Sequence, residues 1–103
     1  MDGFSSSGSS QAVRGYIMRC LVKGYHFSCL VKELSNRMVA SGLITDPDIS
    51  AHLYYLEQCR LIEFTDKKVN AFQAMQSDAV ARLTAEGIRF IENGGDPEMG
   101  IDL

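Results

Sequence analysis

Three apolar stripes of helical period, followed at Leu61 by a switch to period two, leave this chain few small folds to choose from. Val13, Ile17, Cys20 and Leu21 fall at i, i+4, i+7 and i+8, one face of a first helix. Gly24 ends it as a C-cap glycine would. Tyr25-His26-Phe27 reads as a short, extended aromatic connection. Ser28 is placed to cap a second helix whose Leu30, Leu34 and Met38 share a face, closed by Gly42. In Thr45-Asp46-Pro47-Asp48, Asp46 suits the N-cap and Pro47 the first helical position. A capping box between Thr45 and Asp48 would start the helix at nearly the same place. Ile49, Leu53 and Leu56 form the inward stripe of this third helix, which is expected to run to about Cys59.

Leu61-Ile62-Glu63-Phe64-Thr65 alternates apolar and polar, the mark of a strand. Asp66-Lys67-Lys68 is a turn candidate, and Ala79-Val80-Ala81-Arg82-Leu83 belongs to a second strand. Residues 69–78 fit a helical turn as well as a strand, because Ala71, Ala74 and Met75 suit either. Thr84 can cap a last helix carrying Ile88 and Ile91 and stopped by Asn93-Gly94-Gly95. The expected fold is mainly α with a small β-hairpin: three helices, two strands and a C-terminal helix over residues 11–93. Residues 1–10, rich in serine and glycine, are expected to be disordered, and 94–103 to be a flexible acidic tail.

Composition narrows the function. The chain has 103 residues, one domain's worth, with 46% apolar and 22% charged side chains. No apolar run is long enough to cross a bilayer, and the start is neither basic nor apolar, so a cytoplasmic protein without a membrane role is expected. Cys20, Cys29 and Cys59 are odd in number and show no C-x-x-C pair, which points to reduced, packed thiols. His26-x-x-Cys29 with Cys20 offers three potential ligands, but Cys20 lies on an apolar stripe and paired metal spacing is missing. His52 reads as a packed or edge histidine. Without a G-x-S-x-G elbow, a phosphate-cradling glycine loop or H-E-x-x-H, the sequence gives no reason to expect catalysis, a metal or a cofactor.

Helix, helix, helix, strand, strand, helix is the order of winged helix-turn-helix proteins, and two segments resemble them directly. Leu53-Tyr54-Tyr55-Leu56-Glu57-Gln58-Cys59-Arg60-Leu61-Ile62 looks like the end of their third helix and the start of the wing. Leu83-Thr84-Ala85-Glu86-Gly87-Ile88 is similar to the Leu-Thr-x-x-Gly signature that opens their last helix. MarR-like and PadR-like regulators share these habits. Small winged-helix proteins of Mu-like prophages are a closer likeness, in length and in the extended turn at Gly42-Leu43-Ile44-Thr45. The likeness covers about residues 14–92. Arg60 stands where the pattern prefers glycine, and a left-handed backbone there would strain arginine by about 1 kcal/mol.

The resemblance implies a third helix in the major groove of DNA and a wing on the phosphates. With Ile49, Leu53 and Leu56 inward, Ala51, Tyr54, Tyr55 and Gln58 are expected outward and Ser50 on the flank. Ser50, Tyr54 and Gln58 would then meet bases or phosphates, and Lys67 and Lys68 the phosphates, with support from Arg14, Arg19, Lys32 and Arg37. Charge argues the other way. Residues 1–44 carry five basic side chains against two acidic, residues 45–103 five against eleven. The outward face has no cation, and Asp46 and Asp48 lie at its start. Two alternatives therefore stand: a phage-derived regulator bound to or associated with double-stranded DNA, or a protein-interaction module using the Tyr54–Tyr55 face. A homodimer through the first and last helices is expected, with Val22, Met18 and Phe90 as spare apolar contacts. Thiol titration of the purified protein should find three free thiols and metal analysis no zinc; stoichiometric zinc, lost together with the fold on chelation, would contradict this.

Overall fold

The computed structural model describes residues 9–103, and in it Ser9 caps the first helix, α1 (Ser10–Lys23), by accepting from the Ala12 N–H at 3.1 Å. Most of the segment expected to be disordered thus lies outside the described residues, but Ser9 and Ser10 belong to the fold. Val13, Ile17 and Leu21 are buried as the stripe predicts, and so is Met18. Met18 is therefore core and not a spare dimer contact; Val22 and Phe90 are half-buried against the same core.

The stretch after α1 departs from expectation. Tyr25–Phe27 is a tight 3-10 turn, not an extended link, with His26 at φ 53° and Phe27 at φ 59°. Ser28–Leu30 then forms a strand, β1, and the second helix, α2, runs Val31–Ala40. Ser28 caps no helix; its hydroxyl donates to the Tyr25 carbonyl at 2.6 Å. Leu30, expected on the buried helical face, is 45% exposed on the strand. Three residues are too few for a period to declare itself. Pairing with a later strand makes this one, and local sequence does not record that. Leu34 and Met38 are buried as predicted, together with Val31.

The third helix, α3 (Ser50–Gln58), starts later than the Asp-Pro-Asp signal suggested. Asp46 and Asp48 act as turn formers: Asp46 Oδ1 accepts from the Asp48 N–H and Asp48 Oδ1 from the Ser50 N–H, each at 3.0 Å. Ser35, buried on α2, donates its hydroxyl to the Pro47 carbonyl and ties this connection down. Ile49, Leu53 and Leu56 are buried, as predicted.

Strand β2 (Ile62–Phe64), strand β3 (Val80–Leu83) and helix α4 (Ala85–Glu92) follow. The sheet is three-stranded and antiparallel in the order β1-β3-β2, with Cys29 opposite Ala81 and Phe64 opposite Ala81 on the other side. The expected hairpin is present, and β1 is the strand that was missed. The described residues thus form a compact α/β domain of four α-helices and three strands. No helix among the described residues is long and apolar enough to cross a membrane.

One junction fastens the elements together. Thr84 caps α4 by accepting from the Gly87 N–H at 3.0 Å, and its hydroxyl donates to the Arg60 carbonyl at 2.6 Å. The Thr84 N–H donates to the Leu61 carbonyl at 3.0 Å. A Cβ on Gly87 would lie 2.2 Å from that same carbonyl oxygen, so only glycine lets α4 come this close. Arg60 is left-handed, at φ 64°.

The C-terminal residues are not a loose tail. Ile101 is 5% exposed, the Asp102 N–H donates to the Gln11 carbonyl at 3.0 Å, and Arg14 and Arg19 donate to the Gly100 and Asp102 carbonyls at 3.1 and 3.2 Å. A Cβ on Gly15 would overlap the Asp102 carbonyl, so α1 is bare where the chain crosses it. Met99, Ile101 and Leu103 are too few, and too closely followed by the chain's end, to register as a stripe among the glycines and acidic residues around them. Chemical denaturation should show Arg60→Gly more stable by about 0.5–1 kcal/mol, from relief of the left-handed strain. Gly87→Ala should be less stable by about 1–3 kcal/mol, from overpacking against Leu61. Equal stabilities would refute this account of the junction.

Candidate functional site

The outer side of α3 meets the long connection between β2 and β3, residues 65–79. That connection is neither helix nor strand but a series of capped turns. Asp66 Oδ1 accepts from the Lys68 N–H at 3.0 Å, and Asn70 Oδ1 from the Phe72 and Gln73 N–H groups at 2.9 and 3.0 Å. Ala71 and Ala74 are buried and anchor it to the core. With those two alanines turned in, Phe72 is turned out, 59% exposed. Its ring lies 5.4 Å from that of Tyr54, itself 46% exposed, at an interplanar angle of 38°. Two large aromatic side chains, each with about half its surface in water, form the apolar centre of this face.

The expected site residues divide. Tyr54 and Gln58 are exposed on α3, beside Ala51. Ser50 is not on the outward flank: it is buried, and its hydroxyl and N–H both serve Asp48. Those bonds hold the Asp48 carboxyl below the usual aspartate range, so it stays charged at the start of α3. Tyr55 is not outward either. Its hydroxyl donates to the Met99 carbonyl, and the Arg14 guanidinium sits 3.8 Å over its ring. Phe72 was not singled out; a lone aromatic in Asn70-Ala71-Phe72-Gln73, within a stretch of undecided structure, carries no periodic signal.

The cations are mostly engaged within the molecule. Lys67 pairs with Glu63 at 3.2 Å, and Arg82 pairs with the same carboxylate at 2.7 Å. Arg82 first and then Lys67 hold Glu63 below the ordinary glutamate range. Lys32 pairs with Asp78 at 2.7 Å and Arg37 with Glu33 at 2.9 Å, while Arg14 and Arg19 hold the C-terminal carbonyls. Of the cations expected to contact phosphate, Lys68 alone has no such partner among the described residues. On α3, burial pushes the Glu57 carboxyl above its usual value.

Cys20, Cys29 and Cys59 are half-buried free thiols, and burial pushes the Cys29 thiol up, away from reactivity. No three His, Cys, Asp or Glu side chains converge as metal ligands among the described residues. Asp48→Ala should lower stability at neutral pH by about 1 kcal/mol, the net worth of a lost turn-forming hydrogen bond. Because the folded-state pKa of Asp48 is depressed, its contribution is present above the ordinary aspartate value and fades as pH falls through the folded one. The gap between Asp48→Ala and the parent chain should therefore close on acidification; a gap independent of pH would contradict an ionised Asp48 in this turn.

No family model, curated protein or solved structure matches the chain.

Proposed function

We propose that the chain is a winged-helix module that binds another protein through α3 and the 65–79 connection. The order α1, β1, α2, α3, β2, β3, α4 supports the winged-helix part, together with the Leu-Thr-x-x-Gly start of α4. The observation that carries the partner class is the exposed Tyr54–Phe72 pair. Aromatic anchors of this kind fill apolar pockets on a partner and dominate interface energies. Duplex DNA requires the opposite surface, a field of free cations over the recognition helix. Here α3 has none, Asp48 is ionised at its start, and Lys67 is already paired.

The DNA reading keeps one observation in its favour. Arg60 and Lys68 lie at the two ends of the same region, after α3 and in the connection, and neither is in an ion pair among the described residues. In the protein-binding reading these two cations meet an acidic rim around the partner's apolar pocket, and phage origin would make that partner another phage or host regulator.

A photo-cross-linking residue at position 54 should capture one protein in cells. With that partner purified, Tyr54→Ala and Phe72→Ala should each weaken binding by about 2 kcal/mol, roughly thirtyfold, as hot-spot truncations do. Replacing Lys67 and Lys68 with alanine should have little effect. Cross-links to DNA, or a partner indifferent to both aromatic substitutions, would sink the proposal.

A further inference from the structure

A chain reversal at the end of α1 brings two of the three thiols to one cavity. The chain leaves α1 at Gly24, turns through Tyr25–Phe27 and returns as β1. Gly24 is where the two arms touch. A Cβ there would lie 2.1 Å from the Ser28 carbonyl oxygen and 3.4 Å from that of Cys20. Cys20, one helical turn before Gly24, and Cys29, next to Ser28, stand on opposite arms of this contact. Both line a cavity of about 290 Å³, together with Lys23, Tyr25, Glu33 and Arg37.

The groups around the cavity treat the two sulfurs differently. Arg37 pairs with Glu33 at 2.9 Å, and the Cys29 thiol donates to the other oxygen of that carboxylate at 3.8 Å. Arg37 and the Tyr16 hydroxyl also reach the Cys20 thiol. Cys20 thus has a cation and a hydroxyl beside it, whereas Cys29 has a carboxylate. Burial first, and Glu33 second, push the Cys29 thiol up, so it rests protonated. Cys59, at the end of α3, does not line this cavity.

We propose that Cys20 and Cys29 are an oxidant-responsive pair, with a hydroperoxide as substrate and a disulfide within one chain as product. The Cys20 sulfur attacks the terminal oxygen of the hydroperoxide. An S–O bond forms, the O–O bond breaks, and an alcohol or water leaves with the thiol's proton. Cys20 is oxidised by two electrons to the sulfenic acid, and the peroxide is reduced. Arg37 offers N–H donors and positive charge where negative charge develops in this step. Glu33 then takes the Cys29 proton, and the Cys29 sulfur attacks the Cys20 sulfur. The sulfenyl oxygen leaves as water with that proton. A disulfide needs Cα atoms about 4.4–6.8 Å apart, hence backbones in direct contact, and the Gly24 junction supplies that contact. The bond ties β1 to the end of α1 and closes a ring around the Tyr25–Phe27 turn.

Brief exposure of the reduced, full-length chain to hydrogen peroxide, followed by alkylation and peptide mass spectrometry, tests this. A Cys20–Cys29 disulfide within one chain should form first, with Cys59 still open to alkylation. In Cys29→Ser, Cys20 should stop at the sulfenic acid and be captured by dimedone. Arg37→Gln should slow the loss of the Cys20 thiol about tenfold, the worth of one charge-assisted hydrogen bond. Arg37→Lys should recover part of that rate. Cys59 reacting as fast as Cys20 overturns the proposal, as does a disulfide to Cys59 or between two chains. So does a Cys20–Cys29 bond that forms only in denaturant, where the cavity is gone.

Discussion

The Leu61 carbonyl is the point on which the rest of the architecture depends. It accepts from the Thr84 N–H, and the bare Gly87 lets α4 pass directly over it. Thr84 adds a bond to the Arg60 carbonyl and caps α4 with the same oxygen. The chain leaves α3 and enters β2 within three residues, and this contact fixes the direction in which it does so. That direction sets which side of α3 faces out and where the β2–β3 connection begins. Arg60 accepts a left-handed backbone to make the turn, a local cost of about 1 kcal/mol that the surrounding bonds offset.

A second constraint comes from charge. The N-terminal part of the chain is cationic and the C-terminal part anionic, and folding brings them together. Lys32 reaches Asp78, and Arg14 and Arg19 reach carbonyls of the C-terminal strap. Exposed ion pairs of this type contribute little to stability. Their consequence is functional: cations already committed inside the molecule leave the α3 face without a positive field. What that face offers in place of charge is aromatic surface, held out because Ala71 and Ala74 are held in.

The sequence made the helices legible where a stripe was long enough. Val13-Ile17-Leu21, Leu34-Met38 and Ile49-Leu53-Leu56 are all buried, and Thr84 caps α4 as its position implies. Two of the misses share a cause, since each depends on a partner distant in the chain. β1 exists because Ala81 pairs with Cys29. The strap exists because Gly15 leaves room and Ile101 finds the core. Asp46 and Asp48 were recognised as acceptors for free N–H groups, but an Asx turn and an N-cap use the same atoms, and the sequence could not say which. For the site, Tyr54 and Gln58 could be placed outward from the helical period alone. Ser50 and Tyr55 could not, because Asp48 and the strap decide their orientation, and Phe72 was hidden in a stretch without a period.

The central claim is that the α3 face presents an exposed aromatic pair and no cation on α3 itself, from which a protein partner, and not duplex DNA, is proposed. The most direct measurement is an amide chemical-shift titration of the labelled chain with mixed-sequence duplex DNA at low salt, where phosphate contacts are strongest. The account predicts no saturable shifts at Ala51, Tyr54, Gln58, Lys68 or Phe72. Saturable shifts at those positions that disappear as salt is raised would contradict it.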